Sequence, residues 1–434
     1  MAERFLGSRC CALRVREALR QLNAAGRDDS FALIVQTAAL SRRDVAADHG
    51  GVLAGFLVIG AALPVLPLHV NQDLGFGTFV VGLVAGSQFA ASLVTRIWSG
   101  TYSDANGGKR SVVLGLIAAA GAGLLYLLSL TFVSSPTLSV AILLVGRAVL
   151  GGAESFIITG GVSWGLAMVD SGHAGKVIAW VGTAMFAALA FRGPLGTMLF
   201  VPYGFAAIGL ITTLAPLLVL LFLLRAPSPP VLSARTRSTF GGVIGAVWLP
   251  GLGAALSSIG YCAILAFSSL LYANHGWQPV WLAFTAFGAA LIVARMMFGH
   301  LPDKFGGARI ALVFVLVQAA GLILMGLARS TMMASAGAAL AGLGYSLVYP
   351  GLGVEAVRDT SPESRGLAMG IYTVFLDVAM ALGSPALGWA ADRAGLSVVF
   401  FISAGVTFCT TAIALYLAYS THRGRRAPAK RSYW

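Results

Sequence analysis

Charge is what this sequence lacks most. Only 10% of its 434 residues are Asp, Glu, Lys or Arg, against about 25% in a typical soluble domain. So few charges cannot cover a water-facing surface, which excludes a soluble enzyme. Cysteine is sparse too: Cys10 and Cys11 adjoin near the start, while Cys262 and Cys409 stand singly in apolar runs. That arrangement excludes a disulfide framework. The histidines (His49, His69, His173, His275, His300 and His422) are scattered, with no metal-ligand spacing. Ser and His converge in no nucleophilic motif, and no Gly-x-x-x-x-Gly-Lys-Ser/Thr loop occurs. The expectation is a protein that is not an enzyme, does not hydrolyse ATP, and needs neither a metal nor a cofactor.

What fills the chain instead is hydrophobic length. Hydrophobic residues make up 58% of it, and the mean hydropathy is +0.85. From residue 50 onward, apolar runs alternate with short polar breaks, each run near the roughly 20 residues of a spanning helix. The runs predict twelve spans, at 50–70, 78–98, 111–132, 137–158, 176–200, 203–224, 244–272, 279–298, 309–328, 332–353, 366–389 and 396–419. The expected fold class is an all-α, multi-pass membrane protein. Residues 1–49 carry eight arginines and six acids, and their one apolar stretch, 31–40, is too short to span. They read as a cytoplasmic tail, helical over 12–22, without a signal peptide; a start codon placed too far upstream is the other reading. The cytoplasmic linker 225–243, which contains RAPSPPVLSARTRST, separates an N-terminal six-helix bundle (50–224) from a C-terminal one (244–419), and 420–434 is a basic cytoplasmic tail.

The net charge of +13 would suggest a nucleic-acid partner in a soluble protein. Here its placement matters more. With the N-terminus inside, the inner segments and the flanking Lys176 and Arg309 hold 23 of the 29 Lys and Arg residues, while the outer loops hold only Arg329 and Arg393. Positive charge gathers on the cytoplasmic side of membrane proteins. Both termini are therefore expected in the cytoplasm, in a bacterial inner membrane, with the lipid bilayer rather than nucleic acid as the partner. Arg96 and Arg295 read as residues at the inner ends of their helices.

The chain repeats itself. TRIWSGTYSDANGGKR (95–110) and ARMMFGHLPDKFGGAR (294–309) share Arg96/Arg295, Gly100/Gly299, Asp104/Asp303, Gly107/Gly306, Gly108/Gly307 and Arg110/Arg309, all offset by 199 residues. Each copy sits between the second and third span of its half. A duplication of this kind suits alternating access, in which two halves rock about a central site. Gly and Asp at i, i+4 share a helical face. The missing side chain allows another helix to approach, and the Asp can meet the positive N-terminal end of that helix. The Gly-Gly pair makes a turn. Together Gly100, Asp104, Gly108, Arg110, Gly299, Asp303, Gly307 and Arg309 are expected to form a cytoplasmic latch; a topological signal with a turn is the alternative.

These loops resemble the motif of the major facilitator superfamily between spans 2 and 3 and its copy between spans 8 and 9. GRAVLGG (146–152) is similar to the family's Arg-x-x-x-Gly motif in span 4. RGPLG (192–196) is similar to its antiporter-associated Gly-Pro-x-x-Gly motif, with the second glycine one residue early. LPLHVNQDLGFGTFVVGLVAG, YTVFLDVAM and SLVYPGLGVEAV are further similar to the bacterial YhhS/YfcJ-like branch, usually described as sugar or drug efflux permeases. The resemblance covers residues 50–420 and implies the twelve-helix fold of two pseudo-repeats, working as a monomer on a small-molecule substrate, with a proton gradient as its energy source.

A charge at the bilayer centre costs about 2.5–3.5 kcal/mol on insertion scales, so each one needs a partner or a task. Asp377, midway along span 11, is a candidate proton carrier or else one half of a structural ion pair. Arg147 and Glu154 lie seven residues apart on one face of span 4. The resemblance implies that this span lines the cavity and that Arg147 takes part in proton coupling; packing or a helix-end pair is the other reading. Arg192 precedes a helix break at Gly193, Pro194 and Gly196, and either snorkels outward or contacts an anionic substrate. Tyr345 and Tyr349, at i, i+4 in span 10, and Tyr261 in span 7 are cavity candidates, although a lone aromatic in a membrane helix is usually packing. The expected function is a secondary transporter exporting a small organic solute, sugar or drug-like, against proton entry. Proton-coupled uptake stands second and a non-transporting scaffold last.

Overall fold

A computed structural model describes residues 60, 62–167, 174–223, 240–358, 360 and 365–426, with side chains left undescribed at 166–194, 240–242, 366 and 421–426. The tail 1–49, most of the first span and the linker, and the end of the C-terminal tail lie outside the described residues.

The described chain is helical without strands. Its first described segment is α1 (Leu66–Leu68), continued by a π turn (His69–Asp73). Then come α2 (Thr78–Asn106), α3 (Gly108–Leu130), α4 (Pro136–Ala167) and α5 (Ala174–Leu223). The second half is built from α6 (Phe240–Asn274), α7 (Leu282–Phe298), the short α8 (Leu301–Phe305), α9 (Gly307–Gly326), α10 (Thr331–Arg358), α11 (Arg365–Ala394) and α12 (Leu396–Arg426). Nine segments among the described residues are long and apolar enough to cross a membrane. The fifth and sixth expected spans both lie in α5 and meet at Gly204, whose φ of 65° and ψ of −167° break the helical run. Only a residue without Cβ adopts that conformation without strain.

Large apolar side chains face outward as well as inward: Ile97, Val201, Met296 and Met332 are each more than two-thirds exposed. On a soluble protein such a belt would drive association; against lipid tails it is the expected surface. Helix pairs therefore cohere through close backbone approach. A Cβ on Gly160 of α4 would meet the Gly108 carbonyl of α3, and one on Gly337 of α10 would meet the Gly321 carbonyl of α9. The α3–α4 and α9–α10 pairs are thus packed alike in the two halves.

The halves meet mainly where α2 lies along α11 and α5 along α7. On α2, Gly82 lies against the Ser384 carbonyl and Gly86 against Ala381, while Gly388 of α11 lies against the Thr78 carbonyl. Where this seam ends, Asp392 of α11 receives the backbone N–H groups of Thr78 (2.6 Å) and Phe79 (3.0 Å) and the Thr78 hydroxyl (2.7 Å). The carboxylate thereby takes up donors that the first turn of α2 leaves without helical partners. This end of the bundle is shut by backbone contact and one carboxylate.

A leucine at Gly82 would drive side-chain atoms into the Ser384–Pro385 backbone. The Gly82→Leu variant should lose about 1–3 kcal/mol, read as a lower Tm in detergent. A cysteine placed at Thr78 should also label faster in that background than in the native one. Unchanged labelling and Tm would show that the seam tolerates separation at no cost.

Candidate functional site

On the far side of the seam from Asp392 the halves part around a cavity of about 270 Å³. It is lined by Phe89 and Arg96 of α2, Glu154 and Ile158 of α4, Tyr261 of α6 and Leu291 and Arg295 of α7. Tyr345, Ser346 and Tyr349 of α10 and Thr373, Leu376, Asp377 and Met380 of α11 complete the wall. All four charged groups in the wall sit on helices, at positions where an apolar run would otherwise continue.

Asp377 is nearly buried, and one of its oxygens, Oδ2, takes both Nη2 (2.6 Å) and Nε (2.9 Å) of Arg96. The pair joins the first half of the chain to the second. Arg96 Nη2 also lies 3.4 Å from the Ser92 hydroxyl, which is held at 2.9 Å by Ser155 of α4. Glu154 accepts a 2.6 Å hydrogen bond from the Gln88 amide. Across the cavity Tyr261 and Tyr345 stack, 4.9 Å between centroids and 6° between planes. The Tyr345 hydroxyl is 3.2 Å from Ser258, and that of Tyr349 is 3.3 Å from Thr373. The result is a chamber with two cations, two carboxylates and an aromatic wall, and both halves contribute to it.

Residues 50–352 and 251–433 match the family model of the Major Facilitator Superfamily. The chain belongs to the major facilitator superfamily. It is 39% identical over 358 residues to an uncharacterized transporter of this type from Salmonella typhimurium, covering 82% of this chain and 92% of the relative. It is 37% identical over 367 residues to the uncharacterized transporter YhhS of Escherichia coli K12, covering 84% and 89%. Among solved structures, a bacterial homologue of the human lysosomal transporter Spinster, inward-facing and unoccupied, superimposes with a TM-score of 0.73 at 15% identity, covering 90% of this chain and 99% of that one. A D-xylose–proton symporter gives 0.70 at 14%, covering 86% and 96%. These transporters are not enzymes.

The superfamily fold places the sequence candidates unequally. Asp377, Glu154, Tyr261, Tyr345 and Tyr349 line the chamber. Arg147 does not, although it shares a helix face with Glu154. It is fully buried, its Nη1 lies 3.5 Å from the Tyr126 hydroxyl of α3, and its Nε and Nη2 have no hydrogen-bond partner among the described residues. Seven residues are about 10.5 Å along a helix, and the chamber wall on α4 begins at Glu154. Arg96 and Arg295 both stand in the chamber wall; Arg295 lies in the last turn of α7, at the helix end as expected, whereas Arg96 lies well inside α2. For Arg96 the reason is that α2 continues to Asn106, well past the apolar run that contains it. Arg192, Gly193 and Pro194 fall where side chains are undescribed; Gly196 is buried in α5.

The loop motif divides its labour differently from the expectation. Gly107 (φ 88°) and Gly306 (φ 95°) make the turns. Gly108 and Gly307 provide the close approach, against Gly160 and Gly351 respectively. At Gly100 a Cβ would meet nothing within 4 Å, and at Gly299 only Arg295, so these two do not admit a second helix here. Asp104 and Asp303 are exposed, as are Arg110 and Arg309. Among the described residues neither aspartate is hydrogen-bonded or ion-paired, and no described contact of either joins the halves at this end. The start of α9 is held within its own half by Glu355, which takes the Ala308 N–H at 3.0 Å and pairs with Arg358.

Sequence reasoning missed Gln88 and the Ser92–Ser155 contact. Both are small polar interruptions of apolar runs, a signal that was present but is also common in ordinary packing.

A buried cation without a carboxylate is costly, and an apolar residue of similar volume in its place is often neutral or stabilising. Arg147→Met should therefore keep or raise the Tm of the purified protein. A fall of several degrees would show that the Tyr126 contact repays the burial.

Proposed function

We propose that this chain is a secondary transporter that couples the passage of a small organic solute to proton movement, with the solute bound in the chamber between the halves. The observation that carries the reading is the Arg96–Asp377 pair, an ion pair held across the two halves at the chamber wall. A proton on Asp377 weakens its hold on Arg96, and a change at that one carboxylate is felt in both halves. Nearly buried ion pairs contribute little net stability, so a functional task accounts better for this one than stability does.

The alternating step follows from the same geometry. The end closed by Asp392 and the α2–α11 seam is the outer end in this reading, because the opposite end carries the Gly-Gly loops with Lys109, Arg110, Lys304 and Arg309. Opening outward requires Asp392 to release α2, and Arg96 and Asp377 to part. Closing inward would bring Asp104 and Asp303 onto helix ends of the opposite half and form the cytoplasmic latch. The chain would then sit in a bacterial inner membrane with both termini cytoplasmic and act as a monomer.

For direction, export against proton entry rests on the 192–196 motif alone. Carriage of proton and solute together has a specific observation in its favour: Asp377 occupies Arg96, so protonation uncovers a cation at the moment the solute binds.

The test is transport by purified protein in liposomes with an internal pH dye, across a panel of sugars, carboxylates and amphiphilic drugs. At least one solute should drive proton flux through the native chain, and Asp377→Asn should reduce that flux at least tenfold while the protein remains folded. Inward proton flux with inward solute marks co-transport, and opposed fluxes mark exchange. Full proton flux in the Asn variant would remove Asp377 from the coupling.

A further inference from the structure

We infer that the solute is an organic anion, a carboxylate or sulfonate head on a small apolar body, and that Arg96 is the residue that selects it. The inference rests on the proton-coupled reading above and goes on to name the substrate class.

Charge balance in the chamber leads there. Arg96 and Arg295 carry two positive charges, Glu154 and Asp377 two negative ones. Glu154 is held by the neutral Gln88 amide and stays with the first half. Asp377 is faced by Arg96 from α2, Glu154 from α4, Tyr261 from α6, Arg295 from α7, and Tyr345 and Tyr349 from α10. Arg96 is ion-paired with it through both Nη2 and Nε. When Asp377 accepts a proton the balance becomes one net positive charge, and the Arg96 side chain, only 19% exposed, loses its counterion. A guanidinium in that position is costly until another anion takes the carboxylate's place, and its planar fork suits a carboxylate or sulfonate. A neutral sugar offers no such compensation, and a cationic drug would add to the imbalance. From the second half, the stacked Tyr261–Tyr345 pair and Leu291 contribute an apolar part of the wall for the body of the solute. The proton and the anion are thus bound together, one on Asp377 and the other on Arg96.

The experiment uses three probes that share a phenyl ring: benzenesulfonate (anion), benzenesulfonamide (neutral) and benzyltrimethylammonium (cation). Benzoate serves as a second anion. Binding to the purified full chain is measured by tryptophan fluorescence and thermal shift at about pH 5.5 and about pH 7.5, a range over which neither anion changes charge. The anions should bind at least tenfold tighter than the other two probes, and about tenfold tighter at the lower pH. Asp377→Asn should bind the anions at the higher pH as the native chain does at the lower, without further pH dependence. Arg96→Gln should weaken anion binding at least tenfold, and Arg96→Lys should restore part of it, which shows that the variants fold. Tighter binding of the neutral or cationic probe, anion binding unchanged in Arg96→Gln, or no anion binding at millimolar concentration would each overturn the inference. Because binding is read without a gradient, anion binding that needs Arg96 but ignores pH and Asp377→Asn would sink the proton-coupled reading while leaving the substrate class standing.

Discussion

The close approach of α2 to α11 is the constraint on which the rest depends. Gly82, Gly86 and Gly388 let the two backbones touch, and in a lipid solvent such contact replaces the hydrophobic effect as the source of helix cohesion. The same approach brings Arg96 within hydrogen-bond distance of Asp377 and sets the first turn of α2 on Asp392. One seam thus closes one end of the bundle and positions the cross-half charge pair. Any movement that opens the closed end must also disturb the chamber.

Charge is handled in two ways inside this bundle. In the chamber each carboxylate has a named partner on α2: Gln88 holds Glu154 within the first half, and Arg96 holds Asp377 across the two halves. In the first half, by contrast, Arg147 of α4 is fully buried against α3, and among the described residues its hydrogen-bond partner is the Tyr126 hydroxyl. A cation held so tightly has little freedom to follow a moving proton, whereas Arg96 lies in the wall of an open space. The two arginines thus differ in setting: one is enclosed by packing, the other borders the chamber.

Much of the candidate site could be read from the chain. Asp377 stands out because a carboxylate amid YTVFLDVAM needs a reason, and Tyr345 and Tyr349 follow from i, i+4 spacing in a helix. The 199-residue repeat contains Arg96 and Arg295 as equivalents, yet Arg295 lies in the last turn of α7 while Arg96 lies ten residues before the end of α2. Because α2 extends beyond its apolar run, a residue at the edge of that run still stands in the chamber wall. Gly100 and Gly108 show the converse: both are motif glycines, but only Gly108 lies where another backbone arrives.

Composition and periodicity alone determined that the chain is a helical membrane protein built by duplication, because apolar runs of bilayer length admit few alternatives to helices and six matches at one offset are not accidental. They also marked which charges needed explaining. Only the tertiary structure decided which of those charges meet. An ion pair such as Arg96–Asp377 joins residues 281 positions apart, and its existence depends on the separation and rotation of two helices. Those are set by where glycine backbones touch, a three-dimensional fact that no one-dimensional spacing encodes.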